Sequence, residues 1–297
     1  MTQKKISILL VISIIGISFS AIFVKWSDAP STVLSMYRMY FASILLLPMI
    51  WKRRGELSKV SRQEWGFLAL SGACLGLSFA LWFASLKLTT VASSTIILAL
   101  QPILAIVGGF FFYKERVDLR TILTIGIAII GVVMVGWGDL GHANSSAILG
   151  DFLSFLNVIA VVGYLLIGQT KVKQMSHWIY SFSVFLFAGL ALHIYNLVAG
   201  VPTLDYPPRE WGIFLLLAIF PTLSHVIFNF LLSHVNATTI SMSVLGEPVG
   251  ATIVAVILLD ERIHSLQFVG GLVVLVGVSL FLIQRKNTDS EKISIDE

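Results

Sequence analysis

The chain reads as an all-α integral membrane protein, with ten transmembrane helices arranged as two inverted five-helix repeats. Three observations lead there. Hydrophobic residues make up 57% of the 297, charged residues only 12%, and the mean hydropathy is +0.90. A soluble domain carries roughly 25% charged residues, so this apolar excess has no single core to fill and lipid must act as the solvent. Apolar runs of near-spanning length recur along the whole chain. The second half also repeats the first at a constant offset.

A helix needs about 20 apolar residues to cross roughly 30 Å of hydrocarbon. Charged and turn-rich breaks delimit ten such runs: Ile6–Val24, Ser31–Ile50, Trp65–Leu86, Thr90–Tyr113, Leu119–Trp137, Gly150–Gly168, His177–Val198, Trp211–Ser233, Ala237–Leu259 and Leu266–Ile283. The first run follows Lys4 and Lys5 and could pass for a signal peptide. It is long for that role, lacks a convincing small-residue cleavage site, and is followed by many like it, so it reads as the first span. The intervening loops are too short for an extramembrane domain. Only the segment from Gln284 to Glu297 is polar enough to be disordered.

With both termini placed in the cytoplasm, 15 of the 20 Lys and Arg residues fall in inner segments. Four (Lys25, Lys87, Arg209 and Arg262) fall outside, and Arg38 lies within a span. The net charge of +4 is therefore a topology signal under the positive-inside rule, and no nucleic-acid partner is expected. The single cysteine, Cys74, excludes a disulfide framework and a cysteine-ligated metal site. Neither metal nor cofactor is expected.

Residues 64–131 align without a gap to residues 146 positions later. Glu64-Trp65-Gly66 matches Glu210-Trp211-Gly212, Ser78 matches Ser224, Pro102 matches Pro248, Glu115-Arg116 matches Glu261-Arg262, and Gly131-Val132 matches Gly277-Val278. Five spans per half is an odd number, so the second half enters the membrane in the opposite sense. Inverted repeats give two nearly isoenergetic arrangements, open to one side or the other, with a site near the midplane between the halves.

The 5+5 plan, Tyr37-Arg38 in the second span, the Gln101-Pro102 and Glu247-Pro248 pairs, and the Lys114-Glu115-Arg116 and Asp260-Glu261-Arg262 turns resemble EamA-type members of the drug/metabolite transporter superfamily. The resemblance runs to about residue 285. It implies a first repeat over 1–138, a second over 139–286 and a polar cytoplasmic tail over 287–297. It also implies export, or sometimes uptake, of amino acids, purines or other metabolites, through a cavity lined mainly by spans 1, 3, 4, 6, 8 and 9. A bacterial plasma membrane suits the family best.

Glu247 stands out among the candidate substrate residues, because an ionisable group near mid-membrane costs roughly 2.5–3.5 kcal/mol on insertion scales. It either binds substrate, carries a proton, or packs as a protonated donor. Its repeat counterpart, Gln101, is isosteric and cannot titrate. Pro102 and Pro248 lack an N–H and free the carbonyls of Leu98 and Val244, which makes each a hinge, a binding element or a plain kink. Arg38 could meet an anionic or zwitterionic substrate, pair with Glu247, or snorkel to the headgroups.

Polar stripes supply the rest. Ser71, Ser78, Trp82 and Ser85 share one face of the third span, and Ser154, Asn157 and Tyr164 one face of the sixth. His225 and Asn229 lie four apart in the eighth, and Thr239, Ser243 and Glu247 recur every fourth position in the ninth. Such faces line a cavity or join helices, and for any one Ser or Thr helix packing is the commoner role. Gly72, Gly76, Gly126, Gly131 and Gly136 suit close helix packing. Glu115-Arg116 and Glu261-Arg262 read as interfacial salt bridges, and Trp65, Trp137, Trp178 and Trp211 as interfacial anchors.

The function expected is secondary transport of small metabolites such as amino acids, in the export direction, by alternating access around a midplane cavity. Small-molecule substrate, lipid bilayer and protons are the expected partners; the oligomeric state is open. A passive channel or facilitator for small polar solutes, or an uptake permease, is the alternative, though no filter, charge ring or pore loop is recognisable. An intramembrane enzyme would need a nucleophile–base set or metal ligands, and His193, His225 and Glu247 are too scattered for either.

Overall fold

Ordered from the N-terminus, the helices are α1 (Gln3–Trp26), α2 (Ser31–Lys52), α3 (Arg54–Leu57), α4 (Arg62–Leu88), α5 (Val91–Leu98), α6 (Gln101–Tyr113), α7 (Leu119–Trp137), α8 (Ser145–Lys171), α9 (His177–Val198), α10 (Pro208–Leu231), α11 (Ala237–Val244), α12 (Glu247–Leu259) and α13 (Ser265–Ile295). This computed structural model describes residues 3–89, 91–98, 100–114, 118–137, 145–172, 175–259 and 265–295. The Glu115-Arg116 and Glu261-Arg262 pairs lie outside the described residues.

By length and composition, seven helices among the described residues suffice to cross a membrane: Lys4–Trp26, Ser31–Lys52, Arg62–Leu88, Leu149–Lys171, His177–Val198, Pro208–Leu231 and Ala237–Leu258. Gln101–Tyr113, Leu119–Gly131 and Phe268–Phe281 are apolar but shorter. The surface has the polarity of a membrane protein: Phe111, Phe112, Trp51 and Ile257 are at least 70% exposed, whereas Arg38, Glu210 and Glu247 are at most 5% exposed.

Local chemistry explains most of the boundaries. Ser61 accepts from the Glu64 N–H, and its own N–H donates to the Glu64 carboxylate at 2.7 Å, a capping box that starts α4. Asn236 caps α11 by accepting from the Thr239 N–H at 3.0 Å. Hydroxyls inside α1 bond back one turn, Ser13 to the Leu9 carbonyl and Ser18 to the Ile14 carbonyl, so they add no unsatisfied group to the bundle. The helix beginning at Ser265 continues to Ile295, so the expected disorder from Gln284 gives way to helix. The Arg285–Lys292 stretch is rich in helix-tolerant charged residues, and Gln284 Nε2 ties its start to Asp118 at 2.9 Å.

Glycines set the closest helix contacts. A Cβ on Gly72 or Gly76 would meet the α9 backbone at Val184 and Ala188, so α4 lies directly on α9. One on Gly131 would stand 2.6 Å from the Val274 nitrogen, and one on Gly277 2.7 Å from the Ala128 nitrogen. Gly131 and Gly277 are repeat equivalents, as are Ala128 and Val274. The α7–α13 crossing is thus a pseudo-two-fold contact in which each half presents the same glycine to the other. Gly126 differs from the packing role expected of it, with nothing within 4 Å of its would-be Cβ.

The fourth and ninth expected spans are interrupted at equivalent places. Helix α5 ends at Leu98 and α6 starts at Gln101; α11 ends at Val244 and α12 starts at Glu247. Tight turns bridge both breaks, with N–H groups reaching three residues back, Leu100 to Ile97 and, in the second break, Gly246 to Ser243 at 3.0 Å. The prolines thus mark a local tightening in each span, across which Leu100 and Leu245 keep right-handed helical backbone angles.

Candidate functional site

The two breaks open onto one cavity of about 60 Å³. Its walls come from α1 (Ile17, Ser20), α2 (Arg38), α4 (Ser78, Phe79, Trp82), α8 (Asn157, Val161, Tyr164, Leu165) and α10 (Pro221, His225, Phe228). The broken helices supply Leu98 and Gln101 on one side and Ile240, Val244 and Glu247 on the other. Eight of the ten substrate residues expected from the sequence meet here: Arg38, Ser78, Trp82, Gln101, Asn157, Tyr164, His225 and Glu247. Leu98 and Val244 carry the carbonyls that Pro102 and Pro248 leave without a helical donor.

Arg38 is 1% exposed, which rules out the snorkelling position. Its guanidinium carbon lies 3.6 Å from the centroid of the Phe79 ring, and Nη1 donates to Ser20 Oγ at 3.4 Å. Burial against an aromatic face partly replaces water around the cation. No ion pair joins it to Glu247 among the described residues, although each carries the other's field. The Glu247 carboxyl is 5% exposed, begins the first turn of α12, and so sits at the positive end of a helix dipole.

The polar stripes of spans three and six face each other and are largely consumed in joining helices. Ser78 donates to Asn157 Oδ1 at 2.7 Å, and Ser85 and Ser94 each lie 2.8–3.1 Å from one another and from Ser154. Ser71 shares a 2.6 Å bond with the Tyr180 hydroxyl. Tyr164 donates to Asn229 Oδ1, and Asn229 donates to Ser181 at 2.9 Å. Asn229 therefore braces the cavity wall from behind, against the expectation that it lines it. Ser243 also turns away, donating to the Thr239 carbonyl one turn back. Pro102 and Pro248 flank the cavity without lining it.

Among the described residues, three that line the cavity hold buried polar atoms with no protein partner: Arg38 Nε, Trp82 Nε1 and His225 Nδ1. Leaving such atoms unmet costs roughly 1–3 kcal/mol each, and here all three belong to one pocket. His225 is packed edge-on to Phe79 at 5.2 Å and to Phe228 at 5.9 Å, with the Tyr164 ring 6.3 Å away. Gln101 Nε2 donates to Ser241 Oγ at 3.2 Å, a bond between the broken helices of opposite halves. Pro221, Phe79, Phe228 and Ser20 escaped the sequence reading. Pro221 was visible as a mid-span proline, but its repeat counterpart is Leu75, so the internal alignment gave it no support.

Comparison with known proteins agrees with this architecture. An uncharacterized transporter of Archaeoglobus fulgidus is 26% identical over 286 residues, 94% of this chain and 97% of its own. The uncharacterized transporter YetK of Bacillus subtilis is 24% identical over 272 residues, covering 88% and 81%. One solved structure superposes with a TM-score of 0.77 over 94% of this chain and 96% of the other at 14% identity, a likeness of fold. Residues 4–137 and 148–283 match the EamA-like transporter family. A largely apolar cavity with a few buried polar groups, in a helical protein with an apolar exterior, is thus found in a chain that belongs to the EamA-like transporter family.

Proposed function

We propose that the chain is a secondary transporter exporting small zwitterionic metabolites such as amino acids, by alternating access around the cavity between its halves. In this reading ten crossings leave both termini in the cytoplasm of a bacterial cell. The observation that carries it is the convergence on one cavity of Arg38 Nε, Trp82 Nε1 and His225 Nδ1, unmet among the described residues, with the Glu247 carboxyl. A solute with a carboxylate at one end and an ammonium at the other satisfies both. Arg38 receives the carboxylate while stacked on Phe79, and Glu247 receives the ammonium or, on the return, a proton. The freed carbonyls of Leu98 and Val244 are further acceptors for the ammonium.

The test is counterflow of labelled amino acids and purines in liposomes, with and without a pH gradient. Saturable exchange of one chemical class supports a carrier; linear, unselective flux without exchange overturns it in favour of a channel. Glu247→Gln should abolish the pH dependence of transport while the protein still runs as a monodisperse species. Unchanged pH dependence in that variant removes Glu247 from coupling.

A further inference from the structure

At the end of the bundle formed by Trp26–Pro30, Lys87–Thr89 and Val201–Glu210, a buried carboxylate ties the two halves together. Glu210, in the first turn of α10, is 2% exposed. Its Oε2 accepts from Ser27 Oγ at 2.5 Å and its Oε1 from the Asp28 N–H at 3.0 Å. Ser27 Oγ in turn accepts from the Ala29 N–H at 3.2 Å. The same short segment is held from the first half by Lys87, whose ammonium donates to the carbonyls of Ser27 and Ala29. Arg209 completes the grip, donating to the Trp26 carbonyl at 2.7 Å.

The repeat makes this arrangement informative. Glu64 occupies the position equivalent to Glu210, at the opposite end of the bundle if the halves are inverted. Its carboxylate is hydrogen-bonded to Ser61 of its own helix start, and towards the second half it has the field of Lys171 but no hydrogen bond or close ion pair among the described residues. One ancestral position thus caps a helix in one half and clasps the partner half in the other. A buried carboxylate with two hydrogen bonds is also well suited to release. Desolvation opposes much of its attraction to its partners, and on opening Glu210, Ser27 and Lys87 all regain water.

We propose that Glu210 is the catch of a gate at this end of the transporter: bonded to Ser27 and Asp28 it holds the halves together, and its release admits solvent from this face to the cavity. The proposal rests on the alternating-access reading above. The experiment measures accessibility directly, so the two can fail separately. In a Cys74→Ala background, Val161→Cys places a single reporter on the cavity wall. A membrane-impermeant maleimide is then applied from either face of sealed vesicles.

Loss of the two bonds should raise labelling from the Glu210 face about five- to tenfold in Glu210→Ala, and lower it from the opposite face. Ser27→Ala, a milder change that keeps the carboxylate, should give a smaller rise of the same sign, and Glu64→Ala none. Labelling that stays at the parent rate in both Glu210→Ala and Ser27→Ala overturns the catch. So does a rise from both faces together, which would mark a general packing role. An intact catch response in a protein that shows no solute exchange would spare the gate and refute the transport reading instead.

Discussion

The symmetric α7–α13 crossing makes opposite predictions for two glycines on one helix system. In Gly277→Ala the new methyl would stand 2.7 Å from the Ala128 nitrogen and 2.9 Å from its Cα and Cβ. Carbon contacts settle at about 3.5–4.0 Å, so the helices must part by about 0.6–1.3 Å. The obstacle is mainly backbone, with no flexible side-chain end to swing aside, so the strain of over-packing applies, about 1–3 kcal/mol. Gly131→Ala meets the Val274 nitrogen at 2.6 Å and the Gly270 carbonyl at 2.8 Å and should cost a similar amount. Gly126→Ala, in the same α7, meets nothing within 4 Å and should gain the helix preference of Ala over Gly, about 0.5–1 kcal/mol. Thermal unfolding in detergent, read by fluorescence-detected gel filtration, should therefore place Gly126→Ala above the parent and the other two below it. Because one separation of the helices relieves both clashes, the Gly131→Ala/Gly277→Ala double variant should lose less than the sum of the singles. A Gly277→Ala protein as stable as the parent, or a Gly126→Ala protein that falls as far, would refute the crossing as drawn.

Other consequences follow from the hydrogen bonds. Tyr164→Phe leaves Asn229 Oδ1 without its donor and should lower stability by about 0.6–1.7 kcal/mol, the range of hydrogen bonds between membrane helices; an unchanged melting temperature would show that Asn229 finds another partner. Asp118 accepts from the Thr121 N–H at 3.1 Å at the start of α7 and from Gln284, so Asp118→Ala should cost about 1 kcal/mol as a lost cap. The Thr121 side chain first, then its N–H and Gln284, hold the Asp118 carboxyl below its ordinary value against a partial desolvation. Its stabilisation is therefore complete above the unfolded-state pKa and disappears as pH falls through the lower, folded value. A pH titration of melting temperature should show the gap between parent and Asp118→Ala closing in acid.

Apolar run lengths revealed the helical bundle in sequence because bilayer thickness imposes one length on every crossing, whatever its partners. The repeat was legible because Glu-Trp-Gly, a mid-helix proline and a late glycine recur in one register. Proline chemistry pointed to distortion at Gln101 and Glu247, yet it did not predict the tight turns that close just before them, at Leu100 and Gly246. Side-chain direction was the harder problem. Asn157 and Asn229 look alike as inward-facing amides; one lines the cavity and the other braces Tyr164, a choice made by neighbours distant in sequence. Arg38 likewise had three open roles until the ring of Phe79, a residue carrying no polar signal, was found beneath it.

The cavity volume has a consequence for how tightly a solute binds. At 10–15 Å³ per water-sized group, about 60 Å³ accommodates about four to six such groups, fewer than the non-hydrogen atoms of most amino acids. A larger cargo must therefore be met by a more dilated arrangement of the same helices. Its apparent dissociation constant is the intrinsic one divided by the population of that arrangement. Affinity then becomes a property of the whole bundle. Changes at a remote helix crossing can strengthen or weaken binding of every solute alike, while changes at the lining alone reorder which solute is preferred.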